Sequence, residues 1–333
     1  MNKECNLLKY QCAVVMPVYN EENNILDSLL RLKSQLTADM QLIIVDDGST
    51  DRTSGIIETF IAQEKINNFS YIKKGNEGAA RARLMGINNS SSKFIAFIDC
   101  DDQIDSSTLT CAMAEFDNND DIDFVLFDYY SVDSRGKQKR FNYTINEWPT
   151  TGANAFKHTI DGWGIHGFGI YRKNVILDGY KKAFSFIGNE NNVNDDELIA
   201  RCAILESRRV ILSEGRYYYS NNEFSTTRRV NNNLYRMLFT GQSLKEIIQK
   251  NNNISYLLPA INLYLLRVCT NLAIKQFKWR ESIDNNKLWS MAIKQVLADI
   301  SFISIGRYTN KNYKLFLWSM FKLCALKLRY RFM

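Results

Sequence analysis

Histidine is nearly missing from this 333-residue chain: His158 and His166 alone are too few for a multi-histidine metal site or a relay of several imidazoles. Cysteine is present but unorganised. The seven residues (Cys5, Cys12, Cys100, Cys111, Cys202, Cys269, Cys324) are odd in number, scattered and without a C-x-x-C pair. Neither a disulfide framework nor a thiolate zinc site is expected, and a reducing compartment is. No uninterrupted apolar run reaches the ~18 residues of a membrane-spanning helix. The opening MNKECNLLKYQC has no apolar leader core, so the cytoplasm is the expected location. Acid runs out as well. Nothing acidic follows Asp299, while Arg307, Lys311, Lys314, Lys322, Lys327, Arg329 and Arg331 leave a cationic end on a near-neutral body. Such an end seeks a polyanion or an anionic membrane. No recognised binding module accompanies it, so nucleic acid is not an expected partner.

What is there is the composition of an ordinary globular protein, 45% hydrophobic and 23% charged, long enough for two domains. One stretch stands out. Phe94-Ile95-Ala96-Phe97-Ile98 is a short apolar run that ends in Asp99, Asp101 and Asp102. A run of this kind suits a strand buried on both faces, and acids at its carboxyl end lie where open α/β sheets bind ligands. Crowded carboxylates must be solvated, hydrogen-bonded or neutralised by a cation. Mg²⁺ or Mn²⁺ carrying a diphosphate would satisfy them. The same acids also suit capping, with Asp102 or Asp105 starting a helix near Ser106.

The preceding chain alternates strands and helices. Ala13–Met16 reads as a strand stopping at Pro17, with Asn20 as a helix N-cap ahead of the stripe Ile25, Leu29, Leu32, Leu36. Gln41–Val45 is a second strand ending in Asp46 and Asp47, after which Ser49–Asp51 suits a cap for the helix carrying Ile56, Ile57 and Phe60. A third strand near Tyr71–Lys73 leads through Gly75-Asn76-Glu77-Gly78 into a helix with Gly86 near its end. This alternation predicts a parallel, doubly wound nucleotide-binding half.

Val14-Val15-Met16-Pro17-Val18-Tyr19-Asn20-Glu21, Ile43-Ile44-Val45-Asp46-Asp47-Gly48-Ser49-Thr50-Asp51, Asn76-Glu77-Gly78 with Ala82-Arg83 and Gly86, and Phe97-Ile98-Asp99-Cys100-Asp101-Asp102 resemble the successive blocks of the family 2 glycosyltransferases. The resemblance implies a GT-A (Rossmann-like) fold: an α/β mixed sheet flanked by helices, followed by a C-terminal helical region. It implies a nucleotide-sugar donor, with Pro17, Tyr19 and Glu21 lining the base and ribose pocket and Asp47 accepting from the base. Arg83 would approach the sugar or diphosphate, beside Asp99, Cys100 and Asp101. Asp99 and Asp101, helped by Asp102, would hold Mn²⁺ or Mg²⁺. Leu84 stands where the family often has Asn, and Arg81 where it has a small residue, so the donor-sugar pocket departs from the pattern.

Further on, Asp123–Asp128 reads as a strand, and Asn142–Gly169 as a loop-dominated, substrate-facing stretch in which Trp148 and Trp163 either stack on a sugar or pack, and His166 is equally suited to the site or to a hydrogen-bonded structural place. Asn194-Asp195-Asp196-Glu197 opens a helix where acids favour the dipole. It also resembles the family's later acidic block, with Asp195 replacing Glu, which implies Asp196 as general base. Tyr217-Tyr218-Tyr219 and Phe224–Arg228 resemble a block in which a loop folds over the donor, with Arg228 or Arg229 on the diphosphate or merely solvated. Helices are expected over Leu234–Ile248, Leu257–Phe277, Leu288–Ile305 and Tyr313–Phe332. The last either lies on an anionic membrane or closes the domain. The expected division is 1–105 for the donor, 106–230 for acceptor and catalysis, and 231–333 for the helical region. The expectation is an inverting, metal-dependent enzyme of capsule, lipopolysaccharide or other surface-glycan synthesis, peripheral on the inner face of the plasma membrane, with a glycan or lipid-linked acceptor. Its rivals are a non-catalytic membrane-associated nucleotide- or glycan-binding partner and a nucleotidyltransferase. The latter would want a glycine-rich basic loop where Pro17–Glu22 stands.

Overall fold

The computed structural model describes residues 9–64, 67–160, 163–188, 192–220, 230–309 and 313–331. Strands β1 (Tyr10–Val18), β2 (Met40–Asp46), β3 (Phe69–Lys73) and β4 (Ser92–Phe97) lie parallel in the order β3-β2-β1-β4. Helices α1 (Ile25–Lys33), α2 (Thr53–Glu64) and α3 (Ala79–Asn88) connect them. Val14, Val15, Leu42, Ile43, Ile44 and Ile95 are wholly buried, as continuous apolar runs require when both faces of a sheet are covered.

Beyond β4 the sheet changes direction. Strand β9 (Gly169–Arg172) runs antiparallel between β4 and β6 (Ile122–Val132), and β6 is parallel to β10 (Arg209–Ser220). Short β5 (Gln103–Ile104) pairs antiparallel with β10, β7 (Gln138–Arg140) with β6, and β8 (Thr150–Thr151) with β10. The expected parallel first half is therefore present, inside a mixed sheet. Helix α4 (Thr108–Asn118) packs on β6 and β10.

Three sequence expectations are corrected. Asn20 is not a helix cap: α1 starts at Ile25, and Asn20 adopts φ 56° and accepts the Thr50 N–H at 2.8 Å, tying two loops together. The stretch 142–169 contains a helix, α5 (Gly152–Ile160), and α6 (Lys173–Ile187) follows β9. The helix expected over Leu288–Ile305 is two, α10 (Asn286–Ala298) and α11 (Phe302–Thr309). Asp51, by contrast, does cap α2, accepting the Thr53 N–H at 2.9 Å.

The chain groups into two compact units. Met1–Ala155, Ile165–Lys181 and Ile199–Asn221 hold the whole sheet; Phe156–Gly164, Lys182–Leu198 and Asn222–Met333 form the second unit. The expected boundary at residue 105, between two halves of one domain, lies within the first unit. In the second, α9 (Leu258–Lys278) packs with α8 (Met237–Lys250), α10, α11 and α12 (Tyr313–Arg331). The segment Ser255–Lys278 is long and apolar enough to cross a membrane, with a mean hydropathy of 1.5, which corrects the expectation that no segment is. Its most apolar window is 61% buried among the other helices, as the central helix of a bundle is.

Two packing details fix local geometry in the first unit. A Cβ on Gly86 would lie 2.4 Å from Val15 Cγ1, so only glycine lets α3 approach β1 this closely. His166 is buried; its Nδ1 accepts the Phe168 N–H at 3.1 Å, so Nε2 carries the proton toward Tyr143 Oη at 2.8 Å. Tyr143 in turn donates to the Phe127 carbonyl at 3.1 Å and accepts the Tyr129 N–H at 2.9 Å. Burial, partly offset by the Phe127 backbone, pushes the imidazole pKa down to about 3.

Gly86→Ala is expected to cost about 1–3 kcal/mol by overpacking, with Val15→Ala in the same chain recovering part of it in denaturant melts. Because unfolded histidine binds its proton near pH 6.5 and folded His166 refuses it until about 3, His166 costs no stability above pH 6.5. It destabilises the fold by about 1.4 kcal/mol per pH unit below that. Urea melts at pH 7 and pH 5 should show a shallower loss in His166→Gln than in the parent; equal slopes would contradict the assignment.

Candidate active site

The parallel pairing of β1, β2 and β4 sends their carboxyl ends to one edge of the sheet. Val18 pairs with Asp46, and the Asp47 N–H bonds the Val18 carbonyl at 2.9 Å; on the other side Val15 pairs with Phe97, two residues before Asp99. The Asp46–Asp47 and Asp99–Asp102 acids thus flank the exit of β1, where Pro17 is half-buried and Tyr19 is exposed.

Each acid is held differently. Asp46 is fully buried and accepts from Ser49 N–H (2.7 Å), Ser54 Oγ (2.6 Å) and Tyr71 Oη (2.9 Å). Burial pushes its pKa up, but these hydrogen bonds outweigh it and hold the carboxyl below its ordinary range. Asp47 Oδ1 accepts from Lys74 Nζ (2.9 Å) and Glu77 N–H (3.0 Å), and Oδ2 from Gly78 N–H (2.7 Å). Three of the roughly four acceptor positions of a carboxylate are thereby used inside the protein. Asp47 clamps the lead-in to α3, with one acceptor position left over. Lys74 was not singled out from the sequence. Its signal was only a lysine at the carboxyl end of the strand beside the acidic one. Burial lowers the pKa of its ammonium, but the bonds to Glu77 and Asp47 raise it above the usual value.

Helix α3 also carries Arg83, whose Nη2 meets Asp99 Oδ1 at 2.6 Å, with both side chains largely buried. Gly78 begins the helix at φ 93°, a conformation that favours glycine, and Gly86 sets its depth. One helix therefore connects Asp47 with Asp99.

Asp102 faces inward at 3% exposure. Its Oδ2 accepts from Tyr217 Oη at 2.6 Å and its Oδ1 from Ser220 N–H at 2.9 Å, while Tyr217 Oη accepts the Asp99 N–H at 3.4 Å. Burial, then the charges of Asp99 and Asp101, push the Asp102 carboxyl well above its usual range. Both of its oxygens bond β10, so it ties the acidic turn to that strand. Cys100 is buried, its thiol pushed up by burial and by the Glu21 charge, and its carbonyl accepts the Ser28 hydroxyl; it can meet a ligand through backbone only. Glu21 is half-buried, and burial followed by the charges of Asp101 and Asp99 raises its pKa, so these three acids share one field.

Among the described residues no three His, Cys, Asp or Glu side chains form a protein-only metal cage. Asp99 and Asp101 remain as donors of the kind a hard divalent ion uses when phosphates and water complete its shell. In the second unit, Asp195 and Asp196 open α7 (Asp195–Glu206). Asp195 is buried and accepts the Asn192 N–H at 2.8 Å; Asp196 is exposed. Arg236 Nε (3.2 Å, to the Asn192 side chain) and Thr240 Oγ1 (2.9 Å, to the Val193 carbonyl) anchor the approach to this helix. Arg228 and Arg229 lie outside the described residues.

The family profile described as glycosyl transferase family 2 matches residues 13–179. The chain belongs to this family. A likeness to two sequences runs in the same direction. An uncharacterised glycosyltransferase of Rickettsia bellii is 35% identical over 125 residues, 38% of this chain and 18% of that one. The minor teichoic acid biosynthesis protein GgaA of Bacillus subtilis is 28% identical over 216 residues, 62% and 46% of the two chains. This family member thus spans less than half the length of either. Its fold resembles the structure of TarS residues 1–349 of Staphylococcus aureus in complex with UDP-GlcNAc, with a TM-score of 0.68 at 20% identity over 96% of this chain and 91% of that one. The mixed α/β GT-A sheet with C-terminal helices is therefore the fold of this chain.

Tyr217→Phe removes the hydroxyl shared by Asp102 and Asp99 and is expected to cost about 1–3 kcal/mol, the range for a buried acceptor left short of its donor. Tyr218→Phe, which loses a 3.2 Å bond to part-exposed Asp105 and an interaction with exposed Arg216, should cost less than about 1 kcal/mol. Equal losses in thermal or urea melts would refute the bridging role.

Proposed function

We propose that this chain transfers a sugar from a nucleotide-diphosphate sugar to an acceptor hydroxyl of a surface glycan or lipid-linked saccharide, with inversion at the anomeric carbon. The observation that carries this reading is the convergence of Glu21, Asp99 and Asp101 beside the exit of β1, an anionic sheet edge with a buried arginine, Arg83, paired to Asp99. The membership in family 2 supports the reaction class. The TarS complex holds UDP-GlcNAc, and TarS is named a poly(ribitol-phosphate) β-N-acetylglucosaminyltransferase, which supports a uridine-diphosphate sugar and a surface-polymer acceptor.

In this scheme the donor enters beside exposed Tyr19 and half-buried Pro17, against the loop that Asp47 and Lys74 hold rigid. Asp99 and Asp101 would hold Mn²⁺ or Mg²⁺, which when bound neutralises charge building on the departing diphosphate. Arg83 orients Asp99 and brings positive charge to the same edge. Asp102 positions the turn through Tyr217. Asp196, exposed at the start of α7, takes the proton from the attacking hydroxyl, a role worth typically about 10²–10⁴ in rate. The acceptor oxygen displaces the nucleotide diphosphate directly, so no covalent sugar–enzyme intermediate forms.

Thermal unfolding with a panel of nucleotide sugars and Mn²⁺ is the first test: ligand at about 100 times Kd adds about 2.7 kcal/mol of stability. Asp99→Asn and Asp101→Asn should lose the Mn²⁺-dependent part of that protection. Asp196→Asn should keep it while transfer falls by about 10²–10⁴. Undiminished transfer by Asp196→Asn removes the base assignment, and protection by no nucleotide sugar removes the donor reading.

A further inference from the structure

Helix α12 has two apolar faces, and only one is used inside the protein. Ser319, Leu323, Leu326 and Tyr330, spaced at four, three and four residues, are buried. Tyr330 Oη donates to Gln276 Oε1 of α9 at 2.7 Å, and Lys327 Nζ donates to the Ile300 carbonyl at 2.9 Å. These contacts fix the rotation of the helix. The opposite stripe carries Leu317, Trp318, Phe321 and Leu328, exposed by 48%, 56%, 63% and 59%. The Trp318 and Phe321 rings stack on one another at 6.0 Å. Exposed apolar area of this concentration marks an interaction surface.

The charges around the stripe say what covers it. Exposed Lys314 and Arg329 lie along it, and Lys322 sits over the Trp318 ring at 4.9 Å. No acidic residue occurs after Asp299. Cations interleaved with tryptophan, phenylalanine and leucine on one face of a helix about 28 Å long match the boundary between anionic headgroups and acyl chains.

We propose that the outer stripe of α12 docks this protein in the plane of an anionic phospholipid surface, with Trp318 and Phe321 entering the headgroup boundary and Lys314, Lys322 and Arg329 meeting lipid phosphates. The helix lies on the membrane and does not cross it, because its inner face is committed to α9.

Co-sedimentation of the full chain with vesicles tests this without reference to enzymatic activity. Binding is expected to mixed phosphatidylglycerol–phosphatidylcholine vesicles, to weaken strongly at about 1 M salt, where the screening length is ~3 Å, and to be slight on phosphatidylcholine alone. Each of these cations should contribute about fivefold, so Lys314→Gln, Lys322→Gln and Arg329→Gln together should weaken binding roughly a hundredfold. Trp318→Ser with Phe321→Ser should abolish it with an unchanged unfolding midpoint, since both side chains are exposed. Absence of vesicle binding, or binding that none of these changes alters, overturns the proposal. So does a dimer in analytical ultracentrifugation that the Trp318→Ser, Phe321→Ser chain loses while vesicle binding persists, because a second copy would then cover the stripe.

Discussion

The ion pair between Arg83 and Asp99 answers the main electrostatic problem of this fold. Parallel strands place acidic ends side by side at one edge, and like charges that close are stable only with partners. The partner here comes from α3, whose depth against the sheet is set by the contact of Gly86 with Val15. The same helix begins at the N–H groups that Asp47 holds, so the clamp and the ion pair are two ends of one lever.

A second connection runs the other way. Tyr217 and Ser220 of β10 grip Asp102 across 115 and 118 residues of sequence, which joins the turn after β4 to the last strand of the sheet. Such a buried, hydrogen-bonded carboxylate is costly to leave unpaired, so the acidic turn and β10 move together or not at all. It also holds the donor half, 1–105, to the half that follows within one unit.

Much of the first unit was readable because its signals are local. Continuous apolar runs mark β1, β2 and β4, those of β2 and β4 ending in acids, and Asp51 marks the start of α2. Helix α5 escaped because nine residues give too short a window for a helical period to show. Asn20 suits either role in sequence, because a residue that caps helices is also one that tolerates positive φ. In α12 the cations were visible, but two apolar faces blur any single stripe, and only packing against α9 shows which face is spent.

Residue order alone settled the chemistry available: which acids stand at strand ends, which glycines precede helices, how few histidines exist, and to which family the blocks belong. It could not say what each acid faces. Asp47, Asp99 and Asp102 are the same residue type in similar local sequence, yet one clamps a loop, one pairs with Arg83 and one is locked to Tyr217. Those differences arise from partners that are distant in the chain and close in space, and a carboxylate takes its role from its neighbours.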